Sequence, residues 1–268
     1  MTKIATAMCV MGDSVYFKFA SYSIPSFLRN NTSTDLYVIT DTPERVEEHQ
    51  ILSEKLFIKD MREYLDENEE MIKEFESKCR NRESLQSRNK RYGYEFRDIF
   101  PVIMPLMVED VLKGKGYSHI LKIDSESYFA GGDMIAMVKA DIEQYSSADA
   151  FLVERRHPLM EHYGGGVPGS GFTLWRIDSR FIREYVNNFE GSQQLTILNL
   201  RWNRNLRMKN LTRPGYHFVR PFAKAEATGK VFTKEMAEEF LPAYFHLYGK
   251  NALRYYKTLE EWFGEDAK

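Results

Sequence analysis

Ile120-Leu121-Lys122-Ile123-Asp124-Ser125-Glu126-Ser127-Tyr128-Phe129 is the stretch on which the reading of the fold turns. With Ser118-His119 before it, the run up to Ile123 has the apolar, β-rich character of a buried strand, and it ends in Asp124. Two carboxylates then follow at positions i and i+2, at the end of a strand, where open α/β sheets bind their ligands. If the chain stays extended, Asp124 and Glu126 project to the same side and can face one hard cation. Magnesium and manganese take oxygen ligands of this kind and share them with substrate phosphates. The same acid-x-acid pair also reads as a polar turn closing a strand, so the rest of the chain has to choose between the two.

Upstream, Phe100, Ile103, Met104, Met107, Val108, Val111 and Leu112 make an amphipathic helix, with Pro101 near its first turn and Gly114 and Gly116 beyond its end. The N-terminal run Met1 to Met11 is too short to cross a membrane, is stopped by Gly12-Asp13, and reads as a first buried strand. Val15 to Leu28 carries a helical stripe interrupted by Pro25, and Asp35 to Asp41 is a second strand. Strand, helix, strand is a βαβ unit, which favours a parallel sheet. Asp60 to Glu76 reads as one acidic helix with Met61, Tyr64, Leu65, Met71, Ile72 and Phe75 on its apolar face, followed by a basic block from Lys78 to Arg97.

Downstream, Ala150 to Val153 and Gly171 to Trp175 read as strands, and Ser179 to Phe189, Gln193 to Leu206, Thr233 to Phe240 and Leu253 to Trp262 as helices. No repeat, low-complexity tract or linker divides the chain, so its 268 residues are expected to form a single α/β domain.

Charge and cysteine content remove several function classes. Against 37 Lys and Arg stand 39 Asp and Glu, a net charge of -2, so no global basic field draws in nucleic acid or an anionic membrane. Cys9 and Cys79 are the only cysteines. They make no disulfide framework or zinc ligand set and suit a reducing, cytoplasmic compartment. A metal, if used, is held by oxygen or His.

Two further segments bear on the acidic pair. Gly164-Gly165-Gly166-Val167-Pro168-Gly169-Ser170-Gly171 leads small residues into a strand, where glycine permits close backbone approach to a ligand. Ala243-Tyr244-Phe245-His246-Leu247-Tyr248-Gly249-Lys250 places a histidine after an apolar run. The order of these three segments resembles that of GT-A fold nucleotide-sugar glycosyltransferases, most closely the family 8 (glycogenin-like) retaining transferases. In that family an apolar strand enters Asp-x-Asp, here with Glu126 as the second acid, and His-x-x-Gly-x-Lys follows near the end, here with Lys250 directly after Gly249.

That resemblance implies a GT-A (Rossmann-like) fold, with a mixed, mostly parallel central sheet flanked by helices. Residues 1-123 would be the nucleotide-binding part and 124-268 the metal and acceptor part. It implies Mn2+ or Mg2+ held by Asp124, Glu126 and His246, a nucleotide-diphosphate sugar as donor and a glycan hydroxyl as acceptor. Thr6, Ala7, Asp13 and Tyr16 would rim the nucleotide, while Lys90, Arg97, Gly249 and Lys250 would meet the diphosphate. Ser170 and Gly171 would border the sugars.

The polar excursion from Glu154 to Tyr163 reads either as an exposed surface loop or as an acceptor-side loop presenting Arg155, Arg156, His157 and His162. Retention needs no general base, whereas inversion would need one, with Glu154, Glu161 and Asp149 in the right stretch. Trp175, Trp202, Tyr216, His217 and Tyr248 are aromatics that could stack on sugar or base. A sugar-phosphate nucleotidylyltransferase is a rival enzyme, but Val10-Met11-Gly12-Asp13-Ser14 lacks its basic, glycine-rich loop. A non-catalytic carbohydrate-binding protein of the same fold is a rival of another kind. Nucleic-acid binding through Lys78 to Arg97 is a third, without a net basic field to support it.

Overall fold

The structure is a computed structural model and describes residues 2–10, 14–48, 53–80, 100–154, 168–189, 193–211, 218–219, 221–247 and 251–264. The strand expected first is β1, Ile4–Val10, buried at every position. It pairs in parallel with β2, Asp35–Thr40, and with β4, His119–Asp124. β2 in turn pairs in parallel with β3, Leu56–Asp60. On the other side of β4 lies antiparallel β7, Pro168–Arg176, then antiparallel β6, Ala150–Glu154, then parallel β8, Met208–Leu211. The resulting seven-stranded sheet runs β3-β2-β1-β4-β7-β6-β8. Near-continuous apolar runs such as Ile4–Val10 suit a strand whose two faces are both covered, which parallel sheets require.

Alternation along β1 divides two cores. Ala5, Ala7 and Cys9 face one apolar cluster, to which α4 (Glu69–Arg80) brings Ile72 and Phe75 and α5 (Phe100–Leu112) brings Ile103, Met104, Met107, Val108 and Leu112. Ile4, Met8 and Val10 face a second cluster, filled by Phe17, Ala20, Ile24 and Phe27 of α1 (Ser14–Asn30) and by Met134, Ile135, Val138 and Ile142 of α6 (Met134–Glu143). A third layer lies beyond α1. A small sheet, β5-β10-β9, joins Ser127–Ala130, Ala243–His246 and Phe218–Val219. Against it pack Phe222, Phe232, Tyr255, Tyr256 and Leu259. The last three belong to the C-terminal helix α11, Ala252–Phe263.

Several elements depart from expectation. The single acidic helix from Asp60 to Glu76 is instead the end of β3 followed by α3, Arg62–Glu67, and by α4. Leu56–Asp60 takes the open edge of β2, and the Asp60 carboxylate accepts from the Arg62 backbone N–H at 2.9 Å, starting α3 afresh. Pro25 does not interrupt α1. Burial of Ile24, Ser26 and Phe27 around it outweighs the local cost of an interior proline, about 3 kcal/mol. The helix α6 was not expected. Asp133 starts it by accepting from Ala136 N–H at 2.8 Å while also holding Ser33 N–H at 2.7 Å. Most of the basic block, residues 81–99, lies outside the described residues.

His119, at the start of β4, gives the fold a pH dependence. Burial, helped by the Arg176 cation, pushes its imidazole from 6.5 down to about 4. Between those values the unfolded chain takes up a proton that the folded chain refuses, so stability is full above pH 6.5 and falls as the pH drops toward 4. The loss from this group is about 3 kcal/mol. Urea unfolding at pH 7.5 and pH 4.5 should show a smaller acid-induced drop in His119→Gln than in the parent, and equal drops would refute the assignment.

Candidate metal centre and donor site

The acidic pair sits where the sheet's parallel strands end. Asp124 closes β4 beside Cys9 of β1, its register partner. The chain then bends through Ser125 and Glu126 before entering β5, so the two carboxylates converge across a turn rather than along an extended strand. Antiparallel pairing of β10 with β5 sets His246 opposite Ser127, and Leu247 N–H donates to the Glu126 carbonyl at 2.7 Å. His246 thereby reaches back over the turn. Its Nε2 stands 3.5 Å from Asp124 Oδ2 and 3.9 Å from Glu126 Oε2. Ligand atoms of the three residues lie within 4.8 Å of one another.

This donor set fits a divalent cation of the manganese or magnesium kind. Two donors each about 2.1 Å from one ion stand roughly 3 to 4 Å apart, close to the separations found here. The two carboxylates are about a quarter exposed, at 25% and 23%, while the imidazole is nearly covered. That partial exposure leaves room for a ligand's oxygens.

Gly171, next to the β4 partner position Phe172 on β7, lies against the triad. A Cβ there would come within 2.7 Å of Asp124 Oδ2 and within 2.8 and 2.9 Å of His246 Cε1 and Nδ1. Glycine is needed at 171 for space. Tyr244, two residues before His246 and fully buried, donates from its hydroxyl to the Gly171 carbonyl at 2.8 Å. Burial holds that phenol well above its ordinary range, so it stays a neutral donor. The bond ties β10 to β7 beneath the site.

The turn itself is held by α1. Ser23 Oγ lies within donor reach of the Ser125 and Ser127 carbonyls, 2.6 Å for the latter, and accepts from Ser127 N–H at 3.3 Å. Its single proton serves one carbonyl at a time. Ser26 Oγ accepts from Phe129 N–H at 3.2 Å, and Asn30 Nδ2 donates to the Phe129 carbonyl at 3.0 Å. A polar edge on α1 therefore grips β5 along its length. Ser23→Ala should destabilise the protein by about 1–3 kcal/mol, because the groups it leaves are buried. Urea unfolding would measure this, and a change within error would mean another donor replaces the hydroxyl.

The other expected site residues are distributed unevenly. Thr6 and Ala7 lie inside β1, fully buried, with Thr6 Oγ1 3.4 Å from Thr34 Oγ1. They offer no surface at the rim, because the strand's end beside Asp124 is formed by Cys9 and Val10. Tyr16 is half-buried on α1 and packs edge-on to Phe19. Glu154 ends β6 on the same sheet edge as Asp124, with Pro168 as its register partner, and Ser170 precedes Gly171 on β7. Asp149 lies at the opposite end of β6, paired with Arg176 at 3.1 Å, and so stands away from the carboxylates. Trp175 is core, stacked on Phe181 and donating to Glu109 at 2.7 Å, and Trp202 is exposed on a turn. Asp13, Lys90, Arg97, Arg155, Arg156, His157, Glu161, His162, Tyr216, His217, Tyr248, Gly249 and Lys250 lie outside the described residues.

Three contributors escaped the sequence reading. Ser23 and Tyr244 carry no local signal, since each acts on a partner some 70 to 100 positions away in the chain. Lys122 did carry one. It is a lysine inside an apolar strand, two residues before an acid, and it is 5% exposed with its ammonium on Asp124 Oδ1.

No family model and no curated protein matches the sequence. Among solved structures, mouse xyloside xylosyltransferase 1 in its apo form aligns with a TM-score of 0.57 at 10% identity, over 91% of this chain and 97% of that one. The glycosyltransferase GlyE of Streptococcus pneumoniae TIGR4 aligns at 0.53 and 14% identity, over 98% of this chain and 63% of its own. An active-site mutant of LgtC aligns at 0.53 and 10% identity, over 96% of this chain and 99% of that one. At these identities the likeness is one of fold. The seven-stranded, mostly parallel sheet flanked by helices is the GT-A fold that these glycosyltransferases share, and this chain has it.

Proposed function

We propose that the protein is a metal-dependent glycosyltransferase that moves a sugar from a nucleotide-diphosphate donor to an acceptor hydroxyl of a glycan, with retention of anomeric configuration. The observation that carries this reading is the convergence of Asp124, Glu126 and His246 at the C-terminal edge of the parallel strands in a GT-A fold. Those three residues would hold Mn2+ or Mg2+. A cation held there would supply charge neutralisation to a departing diphosphate.

The chain's own residues do the rest. Gly171 lets the β7 backbone approach the triad, and Tyr244 fixes that backbone in place. Ser170 and Gly171 are assigned to the sugars, and His157 and His162 to the acceptor. Lys90, Arg97, Gly249 and Lys250 are assigned to the diphosphate, with Asp13 and Tyr16 beside the nucleotide. If the reaction inverts instead, Glu154 is the general base, being at the end of β6 on the same edge as the metal ligands. Among the described residues no helix is long and apolar enough to cross a membrane.

A panel of nucleotide sugars tested for Mn2+-dependent hydrolysis addresses this reading directly. Release of a nucleoside diphosphate from at least one donor is expected, lost on chelation. With pyrophosphate added, its consumption with release of a nucleoside triphosphate and a sugar 1-phosphate would point to nucleotidyl transfer instead. Failure of calorimetry to detect any nucleoside diphosphate, with or without Mn2+, would overturn the transferase assignment. The anomeric configuration of a transferred product, read by proton NMR, decides retention.

A further inference from the structure

Lys122 occupies an interior position of a central strand, with β1 on one side and β7 on the other. Its register partners are Ala7 and Thr173, both small, and its side chain is 5% exposed. Residues i and i+2 share a face, so the ammonium turns toward Asp124 and meets Oδ1. The other oxygen, Oδ2, is the one near His246 Nε2 and the Gly171 backbone. The carboxylate is thus divided, one oxygen held by the lysine and one offered to the triad.

An ammonium in that place is not required by the fold. A methionine or leucine would fill the strand position without the cost of burying a charge. Chemically it opposes the site it adjoins, because it repels a divalent cation and attracts phosphate. Asp124 and Glu126 carry two negative charges and Lys122 returns one, so these three groups together leave the site with one.

We propose that Lys122 lowers the site's affinity for a free divalent cation and thereby makes cation binding depend on the donor's diphosphate. The inference rests on the metal-site reading above and deepens it. With the lysine present, a bound dication leaves the site net positive and attractive to a diphosphate. Without it, the two carboxylates neutralise the dication and less attraction remains for the phosphates.

The test is Mn2+ binding to the intact protein, read from the electron paramagnetic resonance signal of free Mn2+, with no nucleotide added. Lys122→Met and Lys122→Gln should each bind Mn2+ at least about tenfold more tightly than the parent, as removal of a neighbouring like charge requires. Lys122→Arg, which keeps the charge, should stay near the parent value. Merely structural damage would weaken binding, so a rise separates the two explanations, and the two neutral variants guard against one failing to fold. Unchanged or weaker Mn2+ binding in both neutral variants would overturn this proposal. If the parent nevertheless binds Mn2+, the metal-site reading survives that result. Absence of Mn2+ uptake by the parent and every variant would overturn both.

Discussion

Replacing Asp124 with Ala is expected to reduce metal-dependent turnover by at least about a thousandfold, since it removes both a proposed cation ligand and a carboxylate beside His246. The variant has a second consequence that must be kept apart from the first. Lys122 loses the carboxylate its buried ammonium rests on, and breaking such a pair costs on the order of 3 kcal/mol. A drop in activity of Asp124→Ala alone could therefore be blamed on the fold. The double variant Asp124→Ala with Lys122→Met removes the buried charge together with its partner, so it should regain most of the stability and none of the activity. Thermal melts and steady-state rates on the single and double variants separate the two effects. His246→Ala should fall in the same activity range with little loss of stability. Turnover near the parent level in Asp124→Ala or His246→Ala would remove that residue from the proposed metal shell.

Gly171→Ala is the second large effect. A single methyl would stand 2.7 Å from Asp124 Oδ2 and 2.8 Å from His246 Cε1, closer than real Cβ contacts allow. Relief by backbone withdrawal is blocked on two sides. β7 is paired with β4 immediately beyond, at Phe172 and Ile123, and the Gly171 carbonyl is held by Tyr244. The ligands must move instead, and a displacement approaching 1 Å at a reacting centre costs about a hundredfold in rate. Overpacking adds a stability loss of about 1–3 kcal/mol. Gly114→Ala makes a useful comparison, because it strains a left-handed backbone at φ +77° but meets no atom within 4 Å. It should lose stability alone. Mn2+ affinity and turnover measured on both variants give the answer, and a fully active Gly171→Ala would show that the triad is not the working site.

Much of the frame was legible because it rests on local patterns. The run Ile4–Val10, the βαβ opening and the strand entering Asp124 announce themselves by unbroken apolar character, and the helix at Phe100–Leu112 by its periodicity. The boundaries that misled have physical causes. Asp60 reads as the start of the acidic helix, but it closes Leu56–Asp60, which the open edge of β2 recruits as a strand. Pro25 breaks a helix in isolation, but not one whose neighbours Ser23, Ile24, Ser26 and Phe27 are buried against the core. The strands β5, β9 and β10 are two to four residues long, too short for any period to emerge.

For the site, the acidic pair is legible as a candidate cation pair from its residue types, and the glycine and the histidine from their order along the chain, which resembles that of GT-A transferases. What joins them is tertiary. His246 lies 120 positions after Glu126, and only the β10–β5 pairing, braced by Ser23 from α1 and Tyr244 from below, brings its ring within 3.9 Å of that carboxylate. The same is true of Lys122. The sequence by itself determined that a lysine stands two residues before Asp124. Burial between β1 and β7 decided that its ammonium meets the Asp124 carboxylate, because a charge enclosed in a sheet is costly unless it is paired.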